Sequence, residues 1–254
     1  MDFTWIALLF AATLFLSLLA TQEIGRRLGM RQRRLASREV AEGGVVDGAV
    51  FALLGLLIAF TFSGAAGRFE ERSKLVVEEA NAIGTAYIRL NLLPADAQAD
   101  LRETFRTYVD SRLAFYKALP DIAAAQAELD RATTMQAQIW SRSIAAASGS
   151  QPATMLLLPA LNDMFDIVTT RTAAAARHPP MIIFVMLIAF ALFGGILAGH
   201  AVAAKERDWV HSILFAITLG GAVYVILDLE YPRIGFIRLD NTDQVLVQLR
   251  HSMD

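Results

Sequence analysis

The chain has 254 residues, 55% of them hydrophobic, with a mean hydropathy of +0.44, a formal charge of −2 and no cysteine. That balance is too apolar for a soluble domain of this size. It excludes disulfides and thiolate metal sites, and nothing in it points to nucleic acid.

Four stretches are apolar enough to cross a bilayer, which takes about 20 residues of helix. They are residues 3–20, 48–67, 181–199 and 209–227, and none contains Asp, Glu, Lys or Arg. Trp5, Trp209 and Tyr231 lie at or near their ends, where interfacial aromatics belong. A soluble core of 254 residues has too little chain left to cover four such runs. The pattern predicts an all-α multi-pass membrane protein with spans arranged two plus two. A helical extramembrane insertion, 68–180, separates the pairs, and 1–254 reads as a single membrane domain.

The first span reads as a retained anchor rather than a cleaved leader. No basic residue precedes it, and its apolar run is longer than a leader core. Residues 21–47 form the first connection and carry Arg26, Arg27, Arg31, Arg33, Arg34 and Arg38. Such a cluster is a topology signal and also a surface for anionic lipid headgroups. With the short Lys205–Glu206–Arg207–Asp208 link, it favours a cytoplasmic position for both connections and an outside position for the insertion. Arg68, Arg72, Lys74, Arg171, Arg177, Arg233 and Arg238 count against that orientation.

The second span passes into Arg68-Phe-Glu-Glu-Arg72 with no proline or loop-like cluster, so one helix is expected from Gly48 to Leu92. Gly48, Ala52, Gly55, Ala59, Ser63 and Gly67 make a small-residue face. Such a face suits close packing, either inside one subunit or between subunits. Phe51, Leu54, Ile58 and Phe62 make a bulky stripe. A stripe of this kind faces lipid or a neighbouring helix by default; around an axis it is a candidate pore constriction that closes by dewetting. Beyond the membrane, Glu78 is the candidate carboxylate at a pore mouth or, equally, part of a solvated helix face paired with Lys74, four residues before it. Glu79 fits better as that solvated face, paired with Lys74 or Arg72.

Within the insertion, Phe69, Ser73, Val76, Ala80, Ile83, Tyr87 and Leu90 recur at steps of four and three, the seam of a packed helix. Asn91-Leu-Leu-Pro94 ends it. A second helix, 95–119, buries Leu101, Phe105, Tyr108, Val109 and Tyr116. Pro120 and Asp121 stop one helix and cap the next. The third, 122–147, carries Leu129, Ile139, Trp140 and Ile144. After Ser148-Gly-Ser-Gln-Pro152 the fourth, 153–177, shows Leu158, Leu161, Phe165, Val168, Thr172 and Ala175, with Pro159 as a candidate kink.

Spans three and four add small-residue lines, Ala191–Gly195–Gly199 and Ala216–Gly220. Asp228 and Glu230 close the last span. A structural pair between Asp228 and a buried arginine such as Arg68 is expected, with Pro232 and Gly235 setting a turn. His200 and His211 flank the short link and read as interfacial residues, since a metal site needs more ligands. No Walker loop, dinucleotide fingerprint, HExxH or GxSxG constellation is present, so neither an enzyme nor a cofactor is expected.

Three segments carry a family resemblance: Arg68-Phe-Glu-Glu-Arg72 with Leu75-Val-Val-Glu-Glu-Ala-Asn-Ala-Ile-Gly-Thr-Ala-Tyr-Ile-Arg89, Leu161-Asn-Asp-Met164, and Asp228-Leu-Glu-Tyr-Pro-Arg-Ile-Gly-Phe-Ile-Arg238. On these the chain resembles the bestrophin-like domain family of mostly bacterial membrane proteins. More distantly it is similar to true bestrophins, pentameric ion channels whose second span lines the pore. The resemblance implies a homo-oligomer, a pentamer, in a bacterial inner membrane, with small ions passing along the second span. It also implies a cytoplasmic insertion, against the arginine bias. The chain departs from true bestrophins in lacking their tryptophan-rich junction and calcium-binding aspartate run, so calcium gating is not implied. The alternative is a non-conducting membrane scaffold or sensor whose helical insertion binds a partner.

Overall fold

Apolar runs in lipid must satisfy their backbone internally, and helix is the way a single segment does so. The computed structural model describes residues 3–35, 44–119, 121–203, 208–233 and 235–254. Arg38, Pro120 and the Lys205–Glu206–Arg207 link fall outside the described residues. Among those described, every regular element is helical: α1 (Phe3–Leu35), α2 (Val45–Arg89), α3 (Ala95–Ala118), α4 (Ile122–Ala147), α5 (Gln151–Ala176), α6 (Met181–Ala201), α7 (Trp209–Glu230) and α8 (Asp240–His251). The spans lie in α1, α2, α6 and α7. This is the all-α arrangement of two spans, a helical insertion and two spans.

α2 is one helix of 45 residues, about 68 Å at about 1.5 Å per residue, roughly twice what a bilayer needs. Its last turn tightens into a 3-10 segment, Leu90–Leu92, before Pro94 opens α3. α1 continues to Leu35, so Arg26, Arg27, Arg31, Arg33 and Arg34 sit on a helix and not in a loop. Asp121 caps α4 and Ser150 caps α5, each accepting from a backbone N–H three residues on. Pro159 lies inside α5, which continues through it.

The chain divides into two compact units, residues 1–68 with 178–237, and residues 69–177 with 238–254. In the first unit α1 packs chiefly along α6 and also against α7. Glycines make this possible. A β-carbon at Gly25 would overlap the Ile196 carbonyl, and one at Gly199 would overlap the Gln22 carbonyl. Gly29 and Gly195 extend the contact against Ala203 and Thr21. Small residues four apart on both helices thus bring two backbones together, the main source of helix association in lipid.

The second unit is water-facing and has an ordinary core. Val76 and Ile83 of α2 and Leu90 of the 3-10 turn pack with Leu101, Phe105, Tyr108, Ile139, Leu157, Leu161 and Met164, and Leu246 of α8 joins them. The α2 and α3 seams fall where the spacing puts them. Two expectations shift: Ile144 is 44% exposed, and the buried line of α5 is Leu157, Leu161, Met164, Arg171 and Ala174. Thr172 and Ala175 are exposed, because Arg171 turns inward to a carboxylate. α8, absent from the sequence reading, is tied down through Met253, whose carbonyl accepts from the Tyr87 hydroxyl at 3.0 Å and Arg106 Nε at 2.9 Å.

Candidate functional site

The lipid half of α2 is the span least covered by its own chain: 6% of its most apolar stretch is buried, against 17% in α1 and 28% in α7. The covered side is the bulky stripe. Leu54 is 3% exposed. Phe51 meets Phe215 edge-on at 6.5 Å, and both Phe51 and Leu54 fill the space left by Gly194. Ile58 is half-buried and Phe62 is exposed. The small-residue face is open: nothing described lies within 4 Å of a β-carbon placed at Gly48, Gly55 or Gly67. Between them runs an exposed line of Leu53, Leu56, Phe60, Ser63 and Gly67, which continues as Glu70, Lys74, Val77, Asn81, Thr85 and Ile88. Its steps of three and four place these residues along one face of the helix.

At the exit of that span Arg68 pairs with Glu230, not with Asp228. Its Nε and Nη2 donate to Glu230 Oε2 at 2.9 and 2.7 Å, and the carboxylate is fully buried. His178 Nδ1 lies 2.8 Å from the other Glu230 oxygen, its ring stacked on Tyr231 at 4.9 Å. Asp228 serves the backbone instead, accepting from the N–H groups of Phe236 and Ile237 at 3.0 and 2.9 Å. Gly235 is required there because its β-carbon would overlap that carboxylate. Pro232 is buried in the same turn.

In the second unit Glu79 is 0% exposed, which corrects the solvated reading. It accepts from Arg112 Nε at 2.6 Å, from Arg171 Nη1, and from the Tyr116 hydroxyl at 3.2 Å. Arg171 also lies over the Tyr116 ring at 4.2 Å. Burial alone would raise the Glu79 pKa, but the charges of Arg112 and Arg171 outweigh it and hold the carboxyl below its ordinary range. Burial, then the charge of Glu79, pushes the Tyr116 hydroxyl up, and burial pushes Tyr108 up to about 12. All three residues are therefore locked in one protonation state at neutral pH. Arg72 closes the neighbouring helix end, donating to the carbonyls of Ala174 at 3.2 Å and Arg177 at 3.0 Å. Glu78, one residue from this cluster, is partly exposed and pairs with Lys74 at 3.4 Å.

His200 and His211 have separate partners. His200 Nε2 meets Gln32 at 2.9 Å, and His211 Nδ1 meets Asp208 at 2.7 Å. Among the described residues no group of three His, Cys, Asp or Glu side chains is arranged to hold a metal ion.

The bestrophin-like domain family matches residues 11–243, nearly the whole chain and both units. The chain belongs to that family. Its fold is that of a bacterial bestrophin homologue from Klebsiella pneumoniae carrying a point mutation, with a TM-score of 0.70, 15% identity, and coverage of 95% of this chain and 97% of that one. The same homologue in a zinc-phased crystal gives 0.66 and 16%, covering 93% and 97%. A mutated protein described only as a membrane protein gives 0.69 and 15%, covering 94% and 98%. No curated protein matches the sequence.

Sequence reasoning missed Arg112 and Arg171 because their counter-charge, Glu79, lies on another helix far along the chain. A signal was present. Arg112 falls four residues after Tyr108 and seven after Phe105, on the buried side of α3, and a charge on an apolar face needs a buried counter-charge.

Proposed function

We propose that the chain is an oligomeric, channel-like protein of a bacterial inner membrane, with α2 lining an ion pathway around the oligomer axis. The observation that carries this reading is the exposed line on α2. A water-facing or lipid-facing helix needs no seam, whereas copies of one helix around an axis need this spacing. Family membership supports it. A side chain lining such an axis must be left uncovered by its own subunit. The constriction therefore belongs to Leu53, Leu56 and Phe60 rather than to Phe51, Leu54 and Ile58, and Phe62 lies off the line. Glu70, Lys74 and Asn81 then mark the mouth, with Glu78 beside them as half of a pair with Lys74. The role of the ion-pair clusters is structural, and no catalytic step is assigned.

Ion flux through liposomes holding the purified oligomer tests the idea. Phe60→Ala and Leu56→Ala should raise flux by about threefold or more by widening an apolar gate. Leu54→Ala should leave flux unchanged and lower thermal stability. A monomer in nanodiscs, or a well-folded oligomer that passes no ion across varied salts, pH and voltage, would overturn the pore and leave the scaffold or sensor.

A further inference from the structure

We propose that the membrane unit holds a phospholipid by its phosphate at Arg26. A cavity of about 300 Å³ opens between α1, α6 and α7, and Leu19, Ala198, Val202 and Phe215 are the apolar part of its lining. Arg26 lines it from α1, and its Nε is buried without a hydrogen-bond partner among the described residues. Leaving a charged donor so is costly unless a ligand supplies the acceptor. The carboxylates around the cavity do not supply it. Glu23 accepts from Arg27 Nε at 2.7 Å. Asp208 takes the His211 ring at 2.7 Å and the His211 backbone N–H at 3.2 Å. Arg26 Nε is thus left as a donor without an acceptor beside the cavity, and Arg31, Arg33 and Arg34 on the same helix add positive charge against its two carboxylates.

The level of the cavity selects a lipid. Arg26 lies shortly beyond the uncharged run that ends at Ala20, and Trp209, 52% exposed, opens α7 beside it. Arginine and tryptophan at a span end mark the headgroup layer. Val202 both lines the cavity and is 45% exposed, so a glycerophosphate fits the cavity while acyl chains lie against the exposed apolar surface. Free phosphate gains nothing from that surface. The closeness of α1 and α6 at Gly25 and Gly199 sets the depth at which Arg26 sits.

The test is lipid retention by the full-length protein in native mass spectrometry, with circular dichroism to check folding. Wild type should retain dioleoyl phosphatidylglycerol at least about fivefold better than dioleoylglycerol, which has the same chains and no phosphate. Arg26→Gln should abolish that preference, and Ala198→Phe should do so with Arg26 intact by filling the cavity. Arg33→Gln should keep it. Inorganic phosphate should not displace the lipid. Should Arg26→Gln fail to fold, Ala198→Phe decides. The proposal is overturned if the folded variants retain phosphatidylglycerol like wild type, if Arg33→Gln loses as much as Arg26→Gln, or if inorganic phosphate displaces the lipid.

Discussion

Glu79 joins three helices of the water-facing unit, α2 directly and α3 and α5 through Arg112 and Arg171. Removing one member of a buried charge cluster costs about 3–5 kcal/mol, because the others lose their counter-charge. Glu79→Gln should therefore lower thermal stability strongly, as read by calorimetry. The acid dependence follows from the direction of its pKa. A carboxyl whose folded pKa lies below its unfolded value stabilises the fold fully above the unfolded value, and loses that effect as pH falls through the folded one. The stability difference between wild type and Glu79→Gln should thus be flat at neutral pH and shrink only in acid. A difference that instead changes between about pH 6 and 8 would refute this assignment. Gly235 is the second telling residue. Gly235→Ala drives a β-carbon into a carboxylate already held by two backbone N–H groups. It should cost about 1–3 kcal/mol, and Asp228→Asn should cost less in the Gly235→Ala background than alone.

Among the elements, α2 was legible as a continuous helix, since nothing in Gly48–Leu92 breaks one. Its orientation was not. A bulky stripe and a small-residue face on one helix serve equally well inside or outside a bundle, and the choice lies in Gly194 and Phe215, far along the chain. α1 was read too short because the apolar run ends before the helix does; Gln, Arg and Leu continue a helix readily. α8 escaped notice because it is short and polar, with Leu246 alone buried among its residues. The α1–α6 crossing was half legible: Gly195 and Gly199 were visible as a line, whereas Gly25 and Gly29 sat among arginines. Gly199→Leu or Gly25→Leu should separate the helices and lower the detergent melting temperature by several degrees, more than Gly48→Leu on the open face of α2. Equal effects at the three positions would contradict the packing described.

For the whole molecule, four spans and a helical insertion were evident from hydropathy alone, and the insertion's core from its periodicity. The candidate site was less so, because charges buried in partner positions 33 and 92 residues apart look like surface charges in a linear reading. The arginine cluster also gains a second meaning. Arg26, Arg27, Arg31, Arg33 and Arg34 lie on a helix packed in the membrane unit, and the proposed lipid phosphate at Arg26 is compatible with either orientation of the chain. The family resemblance and the positive-inside bias therefore need not be weighed as rival readings of the same residues.

The glycine crossing of α1 with α6 bears on how the protein is made. α1 leaves the ribosome well before α6, the helix whose backbone it must touch, which begins at Met181. Until then α1 waits in the bilayer with its glycine face against lipid, while the intervening water-facing helices are synthesised and begin to pack. Assembly of the membrane unit is thus a late, long-range event. A chain halted after residue 177 should leave α1 open to lateral capture by chaperones or membrane proteases. A nascent-chain protease protection assay should detect the change as α6 and α7 emerge.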